Sequence, residues 1–219
     1  MKTSDYVVKS VKTSPKASWN ELLVALSPVK WTDIGVVNWK EYPYRPWVQF
    51  RMACSGEEFL LQYQVREKYI RAMASGDNGE VWKDSCVEFF VSPFDDGIYY
   101  NFEFNCAGVC LLAAGAGRNE REKAPLEIVA EIRRLPSLGR AAFQERKGEA
   151  EWNLLLAIPY ACLFKHPQYT TERKSMKANF YKCGDDLTEP HFLSWRPVKT
   201  DKPDFHRPEF FGNIRLAVD

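Results

Sequence analysis

DSCVEFFV at residues 84–91 and YYNFEFN at residues 99–105 alternate apolar and polar side chains along most of their length. Because successive side chains of a β-strand point to opposite faces, each stretch has the pattern of a strand with two unlike sides. One side is apolar and is predicted to face a core: Val87, Phe89, Val91, Phe102, Phe104 and Cys106. The other side mixes carboxylates, amides and other groups, with Trp82 just ahead of it: Cys86, Glu88, Phe90, Asn101, Glu103 and Asn105.

The rest of the chain repeats this pattern of strands and turns. Strands are predicted at 34–39, 47–54, 58–66, 85–92, 98–106, 109–115, 126–134, 151–158, 177–182, 192–195 and 212–218. Turn residues separate many of them, as in Ser55-Gly56, Asp95-Asp96-Gly97 and Ala107-Gly108, and this spacing is typical of a sandwich or barrel. We predict an all-β fold, a single antiparallel β-sandwich of the jelly-roll or immunoglobulin-like kind. It forms one domain over residues 1–219, with residues 1–30 as an N-terminal extension.

Helical signals are confined to two short places. Ser18 and Glu21 have the spacing of a capping box ahead of the apolar run 22–26, so a short helix is predicted there that ends before Pro28. A single turn is predicted at 160–164, because Pro159 can begin a helix at its first position. The sandwich is therefore expected to carry one or two short helices.

The charge balance argues against several classes of partner. Lys and Arg total 30 against 29 Asp and Glu, which gives a net charge of +1, so neither a nucleic acid nor an anionic membrane is expected. No run of about 18 apolar residues is present to span a membrane, and residues 1–18 lack the apolar region of a secretory signal. We expect a cytoplasmic location by default, or a periplasmic or secreted one if a signal has been removed. The oligomeric state is left open.

The spacing of cysteines and histidines carries no metal signature. The six cysteines form no C-x2-C pair and the three histidines join no His/Cys motif, so buried free thiols and no metal site are predicted. Asp84 and Glu88 could join the loop carboxylates Asp95 and Asp96 around a structural calcium ion, since hard cations prefer oxygen ligands. No EF-hand spacing supports that set, and its loop has the composition of a turn.

The polar side of the two quoted strands suits a carbohydrate. Sugar hydroxyls both donate and accept hydrogen bonds, and the C–H face of a pyranose rests on an aromatic ring such as the indole of Trp82. Two alternatives stay open. The face could be the solvated outside of an antiparallel sheet, which needs no ligand, or Glu88 and Glu103 could be the two carboxyl groups of a glycoside hydrolase.

Several segments together resemble carbohydrate-binding module family 9, in particular its bacterial, family 9-like branch. They follow the family's order and cover about residues 30–219: 81–90, 99–105, 152–159, 178–182, Ser194-Trp195 and FHRPEFFG at 205–212. The resemblance implies a DOMON-like β-sandwich with structural calcium ions. It also implies a terminal sugar held between two tryptophans, with acidic and amide side chains on its hydroxyls.

The resemblance implies site residues where positions match. Trp82 and Glu88 correspond to the first stacking tryptophan and to the Glu six residues later, and Glu103 and Asn105 correspond to a polar pair on the next strand. The second stacking tryptophan has no clear match, because Phe and His stand at 205–206 where it is expected. Further candidates for ligand binding are Arg118 and Trp195.

We predict non-catalytic binding of a mono- or oligosaccharide, in carbohydrate catabolism, with no cofactor. A glycoside hydrolase that uses Glu88 and Glu103 is the second hypothesis, and a structural sandwich without sugar binding is the third. The position of Trp82 separates the first hypothesis from the third. Binding requires Trp82 and Glu88 on one open surface, whereas an inert sandwich predicts a buried indole.

Overall fold

The computed structural model of this protein describes residues 6–217. Two α-helices lie in that range, α1 (Trp19–Leu26) and α2 (Leu126–Ala130), together with 3-10 turns at Val81–Lys83, Tyr160–Cys162 and Pro208–Phe210. The strands are β1 (Tyr6–Ser10), β2 (Thr32–Asp33), β3 (Val36–Val37), β4 (Trp47–Cys54), β5 (Glu58–Ala72), β6 (Cys86–Ser92), β7 (Tyr99–Asn105), β8 (Cys110–Gly115), β9 (Arg121–Lys123), β10 (Arg133–Pro136), β11 (Phe143–Pro159), β12 (Ser175–Cys183), β13 (Phe192–Ser194) and β14 (Gly212–Ala217).

The strands form one continuous hydrogen-bonded ladder that curls into a β-sandwich. The order along the ladder is β10-β11-β5-β4-β1-β14-β12-β6-β7-β8-β9, with β2 beside β4 and β13 between β12 and β3. Most neighbours are antiparallel, but β1 runs parallel to both β4 and β14. β1 therefore joins a first layer, from β10 to β4, to a second layer, from β14 to β9.

The main core lies between these two layers and is rich in aromatic rings. Phe50 of β4 stacks on Phe180 of β12 with ring centroids 3.7 Å apart. Across the same core, the hydroxyl of Tyr63 donates a hydrogen bond of 2.9 Å to the backbone carbonyl of Glu88. The side of β6 and β7 that alternation assigned to a core is buried here, which confirms that prediction: Val87, Phe89, Val91, Phe102, Phe104 and Cys106.

Helix α1 covers the outer face of the first layer, which we call the helix face. Ser18 caps α1 with the predicted capping box: its side chain accepts from the backbone N–H of Glu21, and the Glu21 carboxylate accepts from the backbone N–H of Ser18. The contact between α1 and the sheet buries apolar side chains, namely Leu22, Leu26, Ala53, Leu60, Leu155 and Ala157. Hydrophobic burial therefore holds α1 in place.

The segment 198–211 and Trp39 cover part of the outer face of the second layer, which we call the pocket face. Phe205 stacks on Tyr181 of β12 with ring centroids 4.1 Å apart, and Trp39 packs in the same cluster. Glu88 and Glu103 lie on this face, and only 3% and 4% of their surfaces are exposed. The pocket face is therefore a covered surface. It is not the solvated outer face of a sheet that the alternative without a ligand predicts.

Two predicted elements differ from the structure. Residues 126–134 form α2 and the start of β10 instead of a strand, because the carbonyl of Pro125 accepts hydrogen bonds from the N–H groups of Ile128 and Val129. Residues 34–39 contribute only β3 to the sheet, since Asn38 bonds through its side chain to Ser194 and Val198. The predicted end of the last strand at residue 218 lies outside the described residues.

Other predictions agree with the structure. The turn expected after Pro159 is the 3-10 turn Tyr160–Cys162, and all six cysteines are buried and free. Within residues 6–217, none of the helices has the length and apolar character needed to cross a bilayer.

Candidate functional site

The pocket face is ordered by rows of side chains that cross three adjacent strands. Along β12, β6 and β7 the rows are Cys183-Cys86-Asn105, Tyr181-Glu88-Glu103 and Asn179-Phe90-Asn101. Residues that face each other directly in an antiparallel pair have Cβ atoms about 4.5–5.5 Å apart. Strand pairing therefore makes Glu88 and Glu103 direct neighbours, and it does the same for Cys86 and Cys183.

A pocket of about 390 Å³ opens on this face. Its volume falls in the range of roughly 300–1,000 Å³ that small-molecule sites occupy. The floor comes from the strands, and the walls come from the 3-10 turn Val81–Lys83 and the loops around residues 118, 185 and 204. The lining side chains include Trp82, Glu88, Glu103, Arg118, Asp185 and His206.

Glu88 lies at the floor of the pocket with one satisfied carboxylate oxygen. Its Oε1 lies 3.1 Å from the thiol sulfur of Cys183, which donates to it, whereas its Oε2 is buried with no hydrogen-bond partner among the described residues. Burial, and then the neighbouring carboxyl of Glu103, raise the pKa of Glu88 well above its ordinary range. Glu88 therefore keeps its proton to a higher pH than an ordinary glutamate, and in the protonated form it donates as well as accepts hydrogen bonds.

Glu103 ends a relay of polar groups that begins at Arg121. The Nδ2 of Asn101 donates to Oε1 of Glu103 over 2.8 Å, and the guanidinium of Arg121 donates to Oδ1 of Asn101 through Nε and Nη2. Burial raises the pKa of Glu103 to about 7. Because Arg121 also bonds to the backbone carbonyls of Tyr99 and Ala113, the relay is fixed to the sheet and orients the Glu103 carboxyl.

Asp185 and His206 add two more groups with shifted pKa values to the pocket walls. Burial, and then the adjacent carboxylate of Asp186, raise the pKa of Asp185 to about 6. Burial, followed by nearby guanidinium groups, lowers the pKa of His206 to about 3, so its imidazole is neutral and lies 3.0 Å from the hydroxyl of Tyr99. The pocket thus combines a neutral imidazole with carboxyl groups of raised pKa, and these groups donate and accept hydrogen bonds.

Trp82 and Arg118 stand at the sides of the same pocket. Trp82 is half-buried in the 3-10 turn that leads into β6, and its backbone carbonyl accepts from the N–H of Asp185 at 3.1 Å. Arg118 is largely exposed and lies 3.5 Å from a carboxylate oxygen of Asp204. Four of the predicted ligand-binding residues are therefore brought together: Trp82, Glu88, Glu103 and Arg118.

The other two predicted residues lie elsewhere. The amide of Asn105 is fully buried, where it donates to Asp84 and accepts from the N–H groups of Ala107 and Val109, so it holds the turn after β7. Trp195 packs against the main core, edge-on to Phe180. The alternation of β7 could not show that the side chain of its last residue, Asn105, is hydrogen-bonded within the following turn.

The carboxylates considered for calcium do not form one site. Asp84 lies just before β6, and its carboxylate accepts hydrogen bonds from the backbone N–H groups of Met73 and Ala74. Asp96 lies beyond the other end of β6, in the turn before β7, and lies 2.8 Å from Nε2 of His166. Because strand β6 separates them, this donor set does not fit a single cation.

Several pocket residues were not among the predicted ligands: Asp185, Arg121, Asn119, Phe192 and His206. Most of them lie on loops that approach the sheet from distant parts of the chain. His206 was noted only as a residue at the place of a missing tryptophan. No local periodicity marks such positions, and only the tertiary structure places them.

A β-sandwich with an indole, carboxyls of raised pKa and an amide relay in one open pocket has the character of a carbohydrate-binding module. The chain belongs to carbohydrate-binding family 9, since the model of that family matches residues 18–216. The residues of the pocket all lie within this range. A search of the curated proteins finds no match.

Solved structures give the same classification. A candidate carbohydrate-binding protein from Bacteroides uniformis ATCC 8492 is 46% identical, with a TM-score of 0.93 over 97% of this chain and 98% of that one. A family 9 module from Caldicellulosiruptor kristjanssonii in complex with glucose has a TM-score of 0.56 at 12% identity, over 97% and 95% of the two chains. The same kind of module from that organism in complex with cellotriose gives 0.52 at 12% identity, over 97% and 93%. The last two comparisons show the shared fold.

Proposed function

We propose that this protein binds a glucose-type mono- or oligosaccharide in the pocket without cleaving it. Trp82 offers the stacking surface, Glu88 and Glu103 bind hydroxyls at the floor, and Arg118 binds at the rim. The observation that carries this proposal is that one pocket contains Trp82 together with both carboxyls. Family membership supports the class of ligand.

The protonation of the floor favours a polyol over a charged ligand. A sugar hydroxyl is both donor and acceptor, so it pairs with a neutral carboxyl in either direction. Burial raises the pKa of Glu103 to about 7 and that of Glu88 well above its ordinary range, so the floor does not carry two full negative charges near neutral pH. The two guanidinium groups of the pocket are already engaged, since Arg121 donates to Asn101 and Arg118 lies 3.5 Å from a carboxylate oxygen of Asp204.

The choice of glucose-type sugars rests on the related modules. The two Caldicellulosiruptor modules were solved in complex with glucose and with cellotriose. Since only the fold is shared at 12% identity, these sugars are first probes and not an inherited specificity.

A glycoside hydrolase is the second candidate, because Glu88 and Glu103 face each other directly on adjacent strands. A retaining hydrolase needs one ionised carboxylate as nucleophile beside one protonated acid. In this pocket burial raises the pKa of both carboxyls, and Arg121 donates to Asn101 instead of to either one. Among the described residues, no guanidinium therefore bonds directly to the carboxylate that would be the nucleophile, and binding is the first candidate.

Calorimetric titration with glucose and cellotriose tests the proposal, with wild type compared with Trp82→Ala and with products analysed by chromatography. We expect a dissociation constant of roughly micromolar to millimolar, equivalent to about 4–8 kcal/mol. Loss of the indole is expected to weaken binding by about tenfold or more, which corresponds to about 1.4 kcal/mol. Trp47→Ala is the matched control, because Trp47 is also partly exposed but lies in β4, outside the pocket.

Each outcome is decisive. Binding that depends on Trp82 but not on Trp47, without product, supports the proposal. Equal affinity in wild type and Trp82→Ala would overturn the site, and the absence of binding across a wider sugar panel would overturn the function. Sugar cleavage that disappears in Glu88→Gln would establish the hydrolase instead.

A further inference from the structure

Two cysteines and a glutamate meet beneath the pocket. Cys86 of β6 and Cys183 of β12 face each other directly in the ladder, and the thiol of Cys183 lies 3.1 Å from Oε1 of Glu88. One ligand atom from each of these three residues lies within 4.8 Å of the other two. Glu88 and Cys183 are 95 residues apart in the chain, so no sequence motif could reveal the cluster.

The cluster also contains an unsatisfied acceptor. Oε2 of Glu88 is buried and has no hydrogen-bond partner among the described residues. Only 3% of the residue is exposed, so bulk solvent has little access to it. Buried polar atoms in folded proteins are nearly always hydrogen-bonded, and one that is not calls for an explanation such as an ion. Here the unsatisfied atom belongs to the carboxyl that contacts the thiol.

This donor set matches the preferences of a thiophilic cation. Zn²⁺ binds thiolate sulfur at about 2.3 Å and carboxylate oxygen at about 2.0–2.2 Å in a tetrahedron, so its ligand atoms lie about 3.5 Å apart. The atoms of this cluster lie within 4.8 Å of one another, so modest side-chain adjustments would close them around an ion. Two sulfur ligands disfavour calcium and magnesium, which take oxygen ligands.

An ion could reach the cluster through the pocket. Cys183 and Glu88 both line the floor of the pocket, whereas Cys86 is fully buried behind them. Three protein ligands would therefore leave the fourth position of a tetrahedral ion directed toward the pocket, as in open zinc sites. Asp185 lines the same pocket.

We propose that Cys86, Cys183 and Glu88 form a binding site for a thiophilic divalent cation, with Zn²⁺ as the probe, at the floor of the pocket. Both thiol protons and the carboxyl proton of Glu88 leave to solvent when the ion binds. The ion then supplies positive charge to a buried cluster that otherwise cannot carry thiolates. This site goes beyond carbohydrate binding and contributes one coordination position to the pocket.

Zinc binding is measured on reduced, EDTA-treated and desalted protein by competition with a chromogenic chelator, in the absence of sugar. We expect one Zn²⁺ per chain for wild type, and an affinity at least about tenfold lower for Cys183→Ser and for the isosteric Glu88→Gln. Cys162→Ser is the matched control, because Cys162 is a buried thiol of the main core that bonds to Ile128. Circular dichroism checks that each variant is folded.

Cobalt substitution gives a second measurement, and it distinguishes metal binding by these cysteines from a purely structural role. Co²⁺ bound to thiolates produces a sulfur-to-metal charge-transfer band, which we expect in wild type and in Cys162→Ser but not in Cys183→Ser. Absence of a one-to-one zinc site in wild type, or equal zinc affinity in a folded Cys183→Ser protein, would overturn the proposal. Because no sugar is present and Trp82→Ala should leave zinc binding unchanged, this test fails or succeeds independently of the carbohydrate proposal.

Discussion

The helix face and the pocket face are outer faces of the same curled ladder, and both are covered, yet they bury different chemistry. The helix face buries alanine and leucine under α1. The pocket face buries Glu88, Glu103 and Asn101 beside a pocket of about 390 Å³. Covering a sheet face is therefore a structural requirement in both layers, and only the side chains beneath the cover distinguish a packing surface from a binding surface.

The difference has an energetic side. Apolar burial on the helix face stabilises the fold, whereas buried carboxyls with raised pKa values destabilise it whenever they ionise. Proteins retain such groups at functional sites and compensate elsewhere. The main core, with its stacked Phe50 and Phe180 rings, contributes apolar burial that offsets a cost of this kind.

The largest expected effect lies on the helix face. Leu26→Ala removes a fully buried side chain of α1 and should lower the free energy of unfolding by about 2–5 kcal/mol, the usual cost of such a cavity. Urea denaturation monitored by fluorescence measures it. Sugar affinity of the folded variant should not change, because Leu26 is remote from the pocket lining.

Val24→Ala is the control for that variant, since Val24 is 71% exposed on the same helix and should change stability by no more than about 0.5 kcal/mol. If Leu26→Ala weakened sugar binding as strongly as Trp82→Ala does, the two faces would not be independent and the comparison would fail.

An intermediate effect is expected on the pocket face and depends on pH. Burial raises the pKa of Glu103 from 4.5 to about 7, so the folded state holds a proton that the unfolded chain releases. This bound proton stabilises the folded state relative to the unfolded chain. The stabilisation is fully present below pH 4.5 and is lost as the pH rises through about 7. Glu103→Gln cannot ionise and should be more stable than wild type at pH 8, relative to pH 4.5, by up to about 3 kcal/mol.

The measurement is urea denaturation between pH 4.5 and pH 8 in EDTA, which removes any bound metal. Glu127→Gln serves as the reference, because Glu127 is exposed on α2. A pH profile of Glu103→Gln that coincides with that of wild type would show that this carboxyl is not the buried group we infer.

The smallest effect tests how α1 is held on the helix face. Ser18→Ala removes the side-chain acceptor for the N–H of Glu21, an interaction of 3.3 Å, and should cost about 0.5–2 kcal/mol. Ser18→Asn should restore most of this loss, because Asn is an equally good N-cap residue. Thermal unfolding of the three proteins measures the difference, and equal stability of all three would mean that packing alone fixes α1.

Periodicity in the sequence predicted the structural features that depend on residues close together in the chain. The alternation of β6 and β7 gave the correct core side and the correct polar side, and the spacing of Ser18 and Glu21 located the helix. The short apolar run at 126–134 was ambiguous between helix and strand, and Pro125 decided for a helix. Short runs of this kind cannot be resolved from their periodicity alone.

The pocket could be predicted only in part, because its walls come from distant segments. Trp82, Glu88 and Glu103 lie close together in the chain and were found, whereas Asp185 and His206 reach the pocket on loops far along the chain. Asn105 shows the opposite case. The alternation placed it on the correct side of β7, but its side-chain oxygen accepts hydrogen bonds from the turn that follows. The pairing of Cys86 with Cys183 depends on strand order, which local patterns do not contain.

The parallel strand β1 has a consequence for how the molecule meets other chains. By pairing with β4 on one side and β14 on the other, it covers two strands whose backbone N–H and C=O groups would otherwise face outward. Such open edges are where foreign strands add and where aggregation begins. A five-residue segment at the start of the described chain thus protects the seam between the layers from unwanted association.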